Sequence, residues 1–259
     1  MVLTNPTTFT NWLPPHSIAW YKQLSQIQNE YTYPWNSTIT EPNGETIFEH
    51  EVNQIIANKK VLDIGCGDGS FTFQCSSVAK EIVGFDVTDS FIQVGQNNEK
   101  PNVSFVIGNV KIGLPFKRNE FDCAYIRKGP TSAYLQLKNL VKTKGEILGL
   151  HPGDDMGKEL SLLFPNLFLP SIGTPILTSI TQKLEQCQFS DFKIEIINCI
   201  EYLHSALDVI KLRCFGQHPS IYKRILKNDL LEISRIFEQN ATKDGLPITF
   251  SRYIVKVVV

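Results

Sequence analysis

Residues 61–69 read VLDIGCGDG, a segment whose glycines and acidic residues are suited to binding a ligand. Its apolar members Val61, Leu62 and Ile64 are typical of a strand that is buried on both faces. Glycines then follow at alternate positions, where a backbone without Cβ atoms can turn sharply and approach a ligand closely. The pattern predicts a strand that ends in a nucleotide-binding turn, with a helix beginning near Ser70.

The spacing of the glycines narrows the kind of nucleotide. Turns that bind NAD or FAD have the spacing G-x-G-x-x-G, and counted from Gly65 the place of the third glycine is taken by Ser70. The spacing here is D-x-G-x-G-x-G, with acidic residues at Asp63 and Asp68. Carboxylates repel a pyrophosphate, but they suit a ligand that carries an amine, a sulfonium and ribose hydroxyls. The segment therefore predicts a site for a nucleoside without phosphate.

This segment resembles the glycine motif of the class I S-adenosylmethionine-dependent methyltransferases, and the resemblance runs from about residue 61 to residue 151. It implies an α/β, Rossmann-like fold in which a seven-stranded, mostly parallel sheet has helices on both faces and the strand order 3-2-1-4-5-7-6. It implies S-adenosylmethionine as the cofactor. The cofactor contacts that it implies in the turn are Asp63, Gly65, Cys66, Gly67, Asp68 and Gly69.

Two further strands supply candidate contacts to the same cofactor. Residues 81–88 are typical of a strand that ends in an acid, Asp86, which can accept hydrogen bonds from both ribose hydroxyls. Capping of the next helix is the alternative role for this acid. Residues 103–107 form the third predicted strand, and Asn109 follows where the family usually has an aspartate that faces adenine; its amide oxygen can also accept from an amine. The contacts predicted after these strands are Asp86, Val87, Asn109 and Val110.

Two adjacent cations follow the fourth predicted strand, residues 121–126. A guanidinium pairs with a carboxylate in a fork, so we predict that Arg127 binds the carboxylate of the cofactor or of an anionic acceptor. We expect Lys128 to face solvent. The alternative for both is an ordinary turn into the next helix.

A histidine ends the fifth predicted strand, residues 145–151. If the acceptor is a hydroxyl or a protonated amine, His151 is the candidate general base. The alternative is that its ring binds a neighbouring group at the end of the strand. Asp154 and Asp155 are interpreted as turn residues, and the acidic and histidine residues are too dispersed to predict a metal site.

Composition limits the class of protein. The chain has 259 residues, 42% of them hydrophobic, and a net charge of −1 from 25 basic and 26 acidic residues. This balance argues against general attraction to nucleic acid. The six cysteines are scattered without a C-x-x-C pair, which indicates reduced thiols. Residues 1–12 lack an apolar signal core and no run of eighteen apolar residues occurs, so we predict a cytoplasmic protein that does not contact a membrane.

The flanking segments complete the prediction. Residues 1–50 are rich in aromatic residues and are expected to form a lid over the cofactor, ahead of a methyltransferase domain over residues 51–259. A helical insertion at about 205–240 precedes a long β-branched strand, residues 248–259. The predicted function is in-line methyl transfer from S-adenosylmethionine to a small molecule. An RNA or protein methyltransferase and a nucleotide-binding module without catalysis are the alternatives, and the sequence carries no signal for an oligomeric state.

Overall fold

The computed structural model describes residues 2–28, 30–189 and 191–259. Within these ranges the chain forms eight strands and nine α-helices. The strands are β1 (Ser37–Ile39), β2 (Lys60–Ile64), β3 (Glu81–Asp86), β4 (Val103–Ile107), β5 (Phe121–Arg127), β6 (Val141–Pro152), β7 (Asp191–Leu203) and β8 (Leu246–Val258). The helices are α1 (Ile18–Ile27), α2 (Gly44–Ile55), α3 (Ser70–Cys75), α4 (Asp89–Gln96), α5 (Tyr134–Leu140), α6 (Lys158–Leu163), α7 (Pro175–Cys187), α8 (Ala206–Arg213) and α9 (Pro219–Asn240).

The strands form one sheet with the order β1-β7-β8-β6-β5-β2-β3-β4. Strands β6, β5, β2, β3 and β4 are parallel to one another, and β8 is antiparallel to β6. With β1 set aside, this is the predicted order 3-2-1-4-5-7-6, so the predicted fold class is confirmed. The sheet has eight strands because the short strand β1 pairs antiparallel with β7 at the edge.

Helices cover both faces of the parallel part of the sheet, because its side chains alternate between two apolar clusters. On one face Leu62 and Ile64 of β2 pack in a cluster with residues of α5 and α7. On the other face Val61 packs in a cluster with residues of α2 and α3. Burial on both faces explains why these strands are nearly continuous apolar runs.

The chain divides into two compact units. Unit 1 comprises the residues up to Asn43, Asp155–Gly173 and Asn198–Ser251, and unit 2 comprises Gly44–Asp154, Thr174–Ile197 and Arg252–Val259. Unit 1 has its own apolar core, to which α6, α8 and α9 contribute. The predicted division into an N-terminal lid, residues 1–50, and a methyltransferase domain, residues 51–259, stays a prediction. No helix within the described residues is both long enough and apolar enough to cross a membrane.

Candidate functional site

The glycine turn between β2 and α3 lies at the carboxyl end of the central parallel strands of unit 2. Gly65 and Gly67 have φ angles of 78° and 58°, in the region that favours glycine. A Cβ at Gly65 would lie 2.8 Å from the Cα of Gly129, so this glycine lets the turn pack against the turn after β5. A Cβ at Gly67 would meet no heavy atom within 4 Å. The turn therefore presents open backbone at Gly67, where a ligand can approach.

Asp86, at the end of β3, is held against this turn. Its Oδ2 accepts a hydrogen bond from the Gly67 amide at 3.0 Å, and its Oδ1 accepts one from the Thr88 amide at 2.8 Å. Burial raises the pKa of the Asp86 carboxyl, while the amides of Thr88 and Gly67 act in the opposite direction. Since α4 is capped by Thr88, Asp86 is not its N-cap residue. The Asp86 carboxylate is therefore oriented by backbone amides beside the open turn.

Asp63 lies beneath the turn, in the core, with 1% of its surface exposed. Its Oδ2 accepts hydrogen bonds from Thr72 Oγ1 at 2.6 Å and from Tyr125 Oη at 2.8 Å, which joins α3 to β5. Its Oδ1 is buried and has no hydrogen-bond partner among the residues that the structure describes. Burial raises the pKa of Asp63 to about 7, although both hydroxyl bonds lower it. Asp63 therefore supports the turn from within, and its predicted contact with the cofactor stays a prediction.

The other turn residues organise the start of α3. Asp68 Oδ1 accepts a hydrogen bond from the Ser70 amide at 2.9 Å, and α3 begins at Ser70 as predicted. Gly69 is the N-cap residue, and a Cβ on it would lie 2.5 Å from the ring of Phe105. Burial raises the pKa of the Cys66 thiol well above its ordinary value. Cys66 is thus a protonated thiol at neutral pH, with no nucleophilic character.

The predicted adenine contacts follow β4, beside the end of β3. The Gly108 amide donates to the Asp86 carbonyl at 2.9 Å, so the two strand ends are joined. Val110 is buried, while Val87 and Asn109 are partly exposed. Asn109 Oδ1 accepts a hydrogen bond from the Lys111 amide at 2.9 Å. These residues lie near one another at one edge of the sheet, and their contact with adenine stays a prediction.

A charged cluster forms around Glu45 of α2. Arg127 Nη2 lies 3.2 Å from Glu45 Oε2 and 2.8 Å from Glu49 Oε1. Lys128 Nζ and Arg252 Nη2 lie 3.2 and 2.9 Å from the Glu45 carboxylate. Burial raises the pKa of Glu45, but the charges of Lys128, Arg252 and Arg127 outweigh it and lower that pKa to about 2. The prediction that Lys128 faces solvent was wrong, because its ammonium group pairs with the Glu45 carboxylate at the start of α2.

His151 is enclosed in the core of unit 2, with 1% of its surface exposed. Its Nε2 lies 2.9 Å from Tyr134 Oη. Burial, assisted by the charge of Lys183, lowers the pKa of His151 to about 3, so its ring is uncharged and weakly basic at neutral pH. This arrangement favours the structural alternative for His151. Asp154, in the next turn, accepts hydrogen bonds from two backbone amides at the start of α7.

The arrangement can hold a nucleoside through the open turn at Gly67 and the oriented carboxylate of Asp86. Ligands of open α/β sheets bind at the carboxyl ends of the strands, which is where both groups lie. Within the described residues no group of three or more His, Cys, Asp or Glu side chains is arranged to hold a metal ion.

In comparison with known families, residues 55–162 of this chain match the model of a methyltransferase domain. Among curated proteins, the chain is 29% identical over 153 residues to a tRNA U34 carboxymethyltransferase of Campylobacter hominis. The aligned segment covers 54% of this chain and 53% of that protein. The chain is also 33% identical over 73 residues to phosphoethanolamine N-methyltransferase 1 of Caenorhabditis elegans. This aligned segment covers 27% of this chain and 15% of that protein. The chain thus spans about half, or less, of the length of these relatives.

Among solved structures, a functionally unknown protein from Deinococcus radiodurans R1 has the same fold, with a TM-score of 0.63 and 17% identity. The similarity covers 93% of this chain and 97% of that one. The shared fold therefore includes both compact units of the chain.

Proposed function

We propose that the chain is a class I S-adenosylmethionine-dependent methyltransferase that transfers the methyl group of this cofactor to a small-molecule acceptor. The match of residues 55–162 to a methyltransferase domain supports this proposal. The observation that carries the proposal is the pairing of Asp86 with the amide of Gly67, at the point where the turn is open. A carboxylate fixed beside open backbone suits a ribose with two free hydroxyls.

The residues at the strand ends fit such a cofactor. Asp86 would accept the ribose hydroxyls, and Asn109, with Val87 and Val110, would contact the adenine. When bound, the cofactor supplies a methyl group that its sulfonium already makes electrophilic. The protein then has to orient the two reactants and exclude water from them.

Arg127 is proposed to attract the carboxylate of the cofactor or of the acceptor through the charge of its cluster. Three cations, Arg127, Lys128 and Arg252, surround two acids, Glu45 and Glu49, so cations outnumber acids among these five side chains. Arg127 also stacks over the ring of Phe71, 4.6 Å from its centre, and its buried Nε has no hydrogen-bond partner within the described part of the chain. The excess positive charge supports binding of an anion beside the cluster.

The proposal assigns no proton transfer to His151. An acceptor with a free lone pair needs no base for in-line displacement. A buried imidazole whose pKa is about 3 accepts protons poorly at neutral pH.

The small-molecule acceptor is supported by the net charge of −1, since proteins that bind RNA usually carry a basic surface. RNA is the second candidate acceptor, and the observation in its favour is the 29% identity to a tRNA carboxymethyltransferase. The kind of molecule that receives the methyl group distinguishes a small-molecule methyltransferase from an RNA methyltransferase.

The test is transfer of tritiated methyl from S-adenosylmethionine to three separate pools: small metabolites, tRNA, and denatured protein. We expect label in the metabolite pool and its loss in the Asp86→Ala variant. Asp89→Ala is the matched control, because Asp89 is an exposed acid three positions along the same segment. Label in tRNA alone would support the second candidate. Full transfer by Asp86→Ala, or no transfer to any pool, would contradict the proposal.

A further inference from the structure

Arg213, the last residue of α8, is a partly buried cation that has no anionic partner in unit 1. Its guanidinium forms no hydrogen bond or ion pair with the residues that the structure describes, and its Nε is fully buried. Burial lowers the pKa of Arg213, as occurs when a charge leaves water without a carboxylate to compensate it. Donors left unpaired in this way are rare in folded proteins and need a reason.

Two aromatic rings hold the guanidinium in place. Its Cζ lies 4.4 Å from the ring centre of Trp12 and 5.6 Å from that of Phe168. The position of Trp12 is fixed by the neighbouring Leu13, whose amide donates to Gln217 at 3.0 Å and whose carbonyl accepts from Gln217 at 2.7 Å. Ring contacts of this kind engage the faces of the guanidinium. Its N–H edge therefore remains able to donate to a ligand.

The other arginines of the described chain lack this combination. Arg127 and Arg252 form ion pairs with Glu45, and Arg235 pairs with Glu232. Arg224 also stacks on a ring, that of Phe9 at 4.4 Å, but its side chain is exposed, and Arg118 is exposed too. Arg213 is thus the arginine that is both withdrawn from water and unpaired.

We propose that Arg213 binds an oxyanion, a carboxylate or a phosphate group, of a small molecule whose apolar part packs against Trp12 and Phe168. A planar guanidinium donates two parallel N–H···O bonds to such a group, and the aromatic side chains favour a ligand with a flat apolar body. The binding site stands on the residues of unit 1 alone. That its ligand is the methyl acceptor rests on the function proposed above.

The test is titration of the full chain with benzoate and with phenyl phosphate at constant ionic strength, followed by the NMR signal of the Arg213 Nε–H group. We expect a saturable shift with at least one probe. The probe that binds more tightly shows whether the site prefers a carboxylate or a phosphate group. Arg213→Lys should weaken binding about tenfold, since it loses the paired bonds. Arg224→Met is the matched control and should bind as the wild type does. An unsaturable shift, or equal affinity in Arg213→Lys, would overturn the proposal.

Thermal unfolding separates this role from a structural one. If Arg213 awaits a ligand, Arg213→Met removes an uncompensated charge, so its midpoint should equal or exceed that of the wild type. A lower midpoint in Arg213→Met, together with unchanged benzoate binding in Arg213→Lys, would show a purely structural residue. Probe binding through Arg213 without any methyl transfer would contradict the proposed function and leave the site standing. Transfer to an acceptor without an oxyanion, with no probe binding, would contradict the site alone.

Discussion

Asp63 and Asp86 show how the same side chain takes different roles on either side of one turn. Asp86 is oriented by amides beside open backbone, whereas Asp63 is enclosed and bonds to two hydroxyls. The glycine turn and the acidic residue at the end of β3 could be predicted because each lies in a short, continuous segment of the sequence. The enclosed position of Asp63 could not, because its partner Tyr125 is 62 residues away in the sequence.

Asp63 should make the protein less stable as the pH rises. Its folded pKa of about 7 lies above the ordinary value of 3.8, so the folded state holds the proton more tightly than the unfolded chain. The free energy of unfolding should therefore fall between pH 4 and pH 7, by up to roughly 4 kcal/mol. Asp63→Asn should remove this fall, which urea unfolding at pH 5 and pH 8 measures. An equal fall in the variant would show that Asp63 is ionised throughout.

Glu45 should have the opposite pH dependence. Its folded pKa of about 2 lies below the ordinary value of 4.5, so its contribution to stability is complete above pH 4.5 and is lost as the pH falls towards 2. Glu45→Gln should lower the free energy of unfolding at pH 7 by about 2–4 kcal/mol, because three cations lose their carboxylate. Glu146→Gln is the control, since Glu146 pairs with Lys59 at an exposed site. Equal losses in both variants would refute a special role for the cluster.

His151 should matter for stability and not for the pH dependence of catalysis. Replacement of His151 by Gln disturbs its bond to Tyr134 and should lower the free energy of unfolding by about 1–3 kcal/mol. In the plot of catalytic rate against pH, we expect the acidic and basic limbs of His151→Gln to lie at the same pH as those of the wild type. Loss of one limb in His151→Gln would restore His151 as the general base.

Among the elements, the strands and helices of residues 61–151 were predictable because their apolar runs end at glycines and acids. The helix predicted from Ser70 begins there, and the fourth strand, predicted over 121–126, extends to Arg127. Strand β1 was missed, because three residues are too few to show an alternating pattern. Strand β6 begins at Val141, before the predicted Gly145, where its pairing with β5 is irregular.

The close approach of the turns after β2 and β5 can be tested at Gly129. A Cβ there would lie 2.5 Å from the Ile64 carbonyl oxygen, and neither backbone can move without disturbing the sheet. Gly129→Ala should therefore lower the free energy of unfolding by about 3 kcal/mol. At Gly173, a Cβ meets nothing within 4 Å, and Ala should cost about 1 kcal/mol through its positive φ alone. Similar denaturation midpoints for the two variants would refute the predicted contact.

For the whole molecule, the alternation of predicted strands and helices indicated an α/β protein, and the glycine motif indicated a resemblance to methyltransferases. The division into two compact units was not predictable, because unit 1 is assembled from three separate stretches of the chain. The surroundings of Arg213, the last residue of α8, depend on contacts between those stretches.

Calorimetric titration of the full chain with S-adenosylmethionine, and separately with NADH, tests whether the glycine turn belongs to an S-adenosylmethionine site. We expect saturable binding of one equivalent of S-adenosylmethionine, weakened about a hundredfold in Asp86→Ala by the loss of two hydrogen bonds to a charged acceptor. Asp89→Ala should bind as the wild type does. Preference for NADH, or unchanged affinity in Asp86→Ala, would contradict the assignment of the glycine turn as the S-adenosylmethionine site.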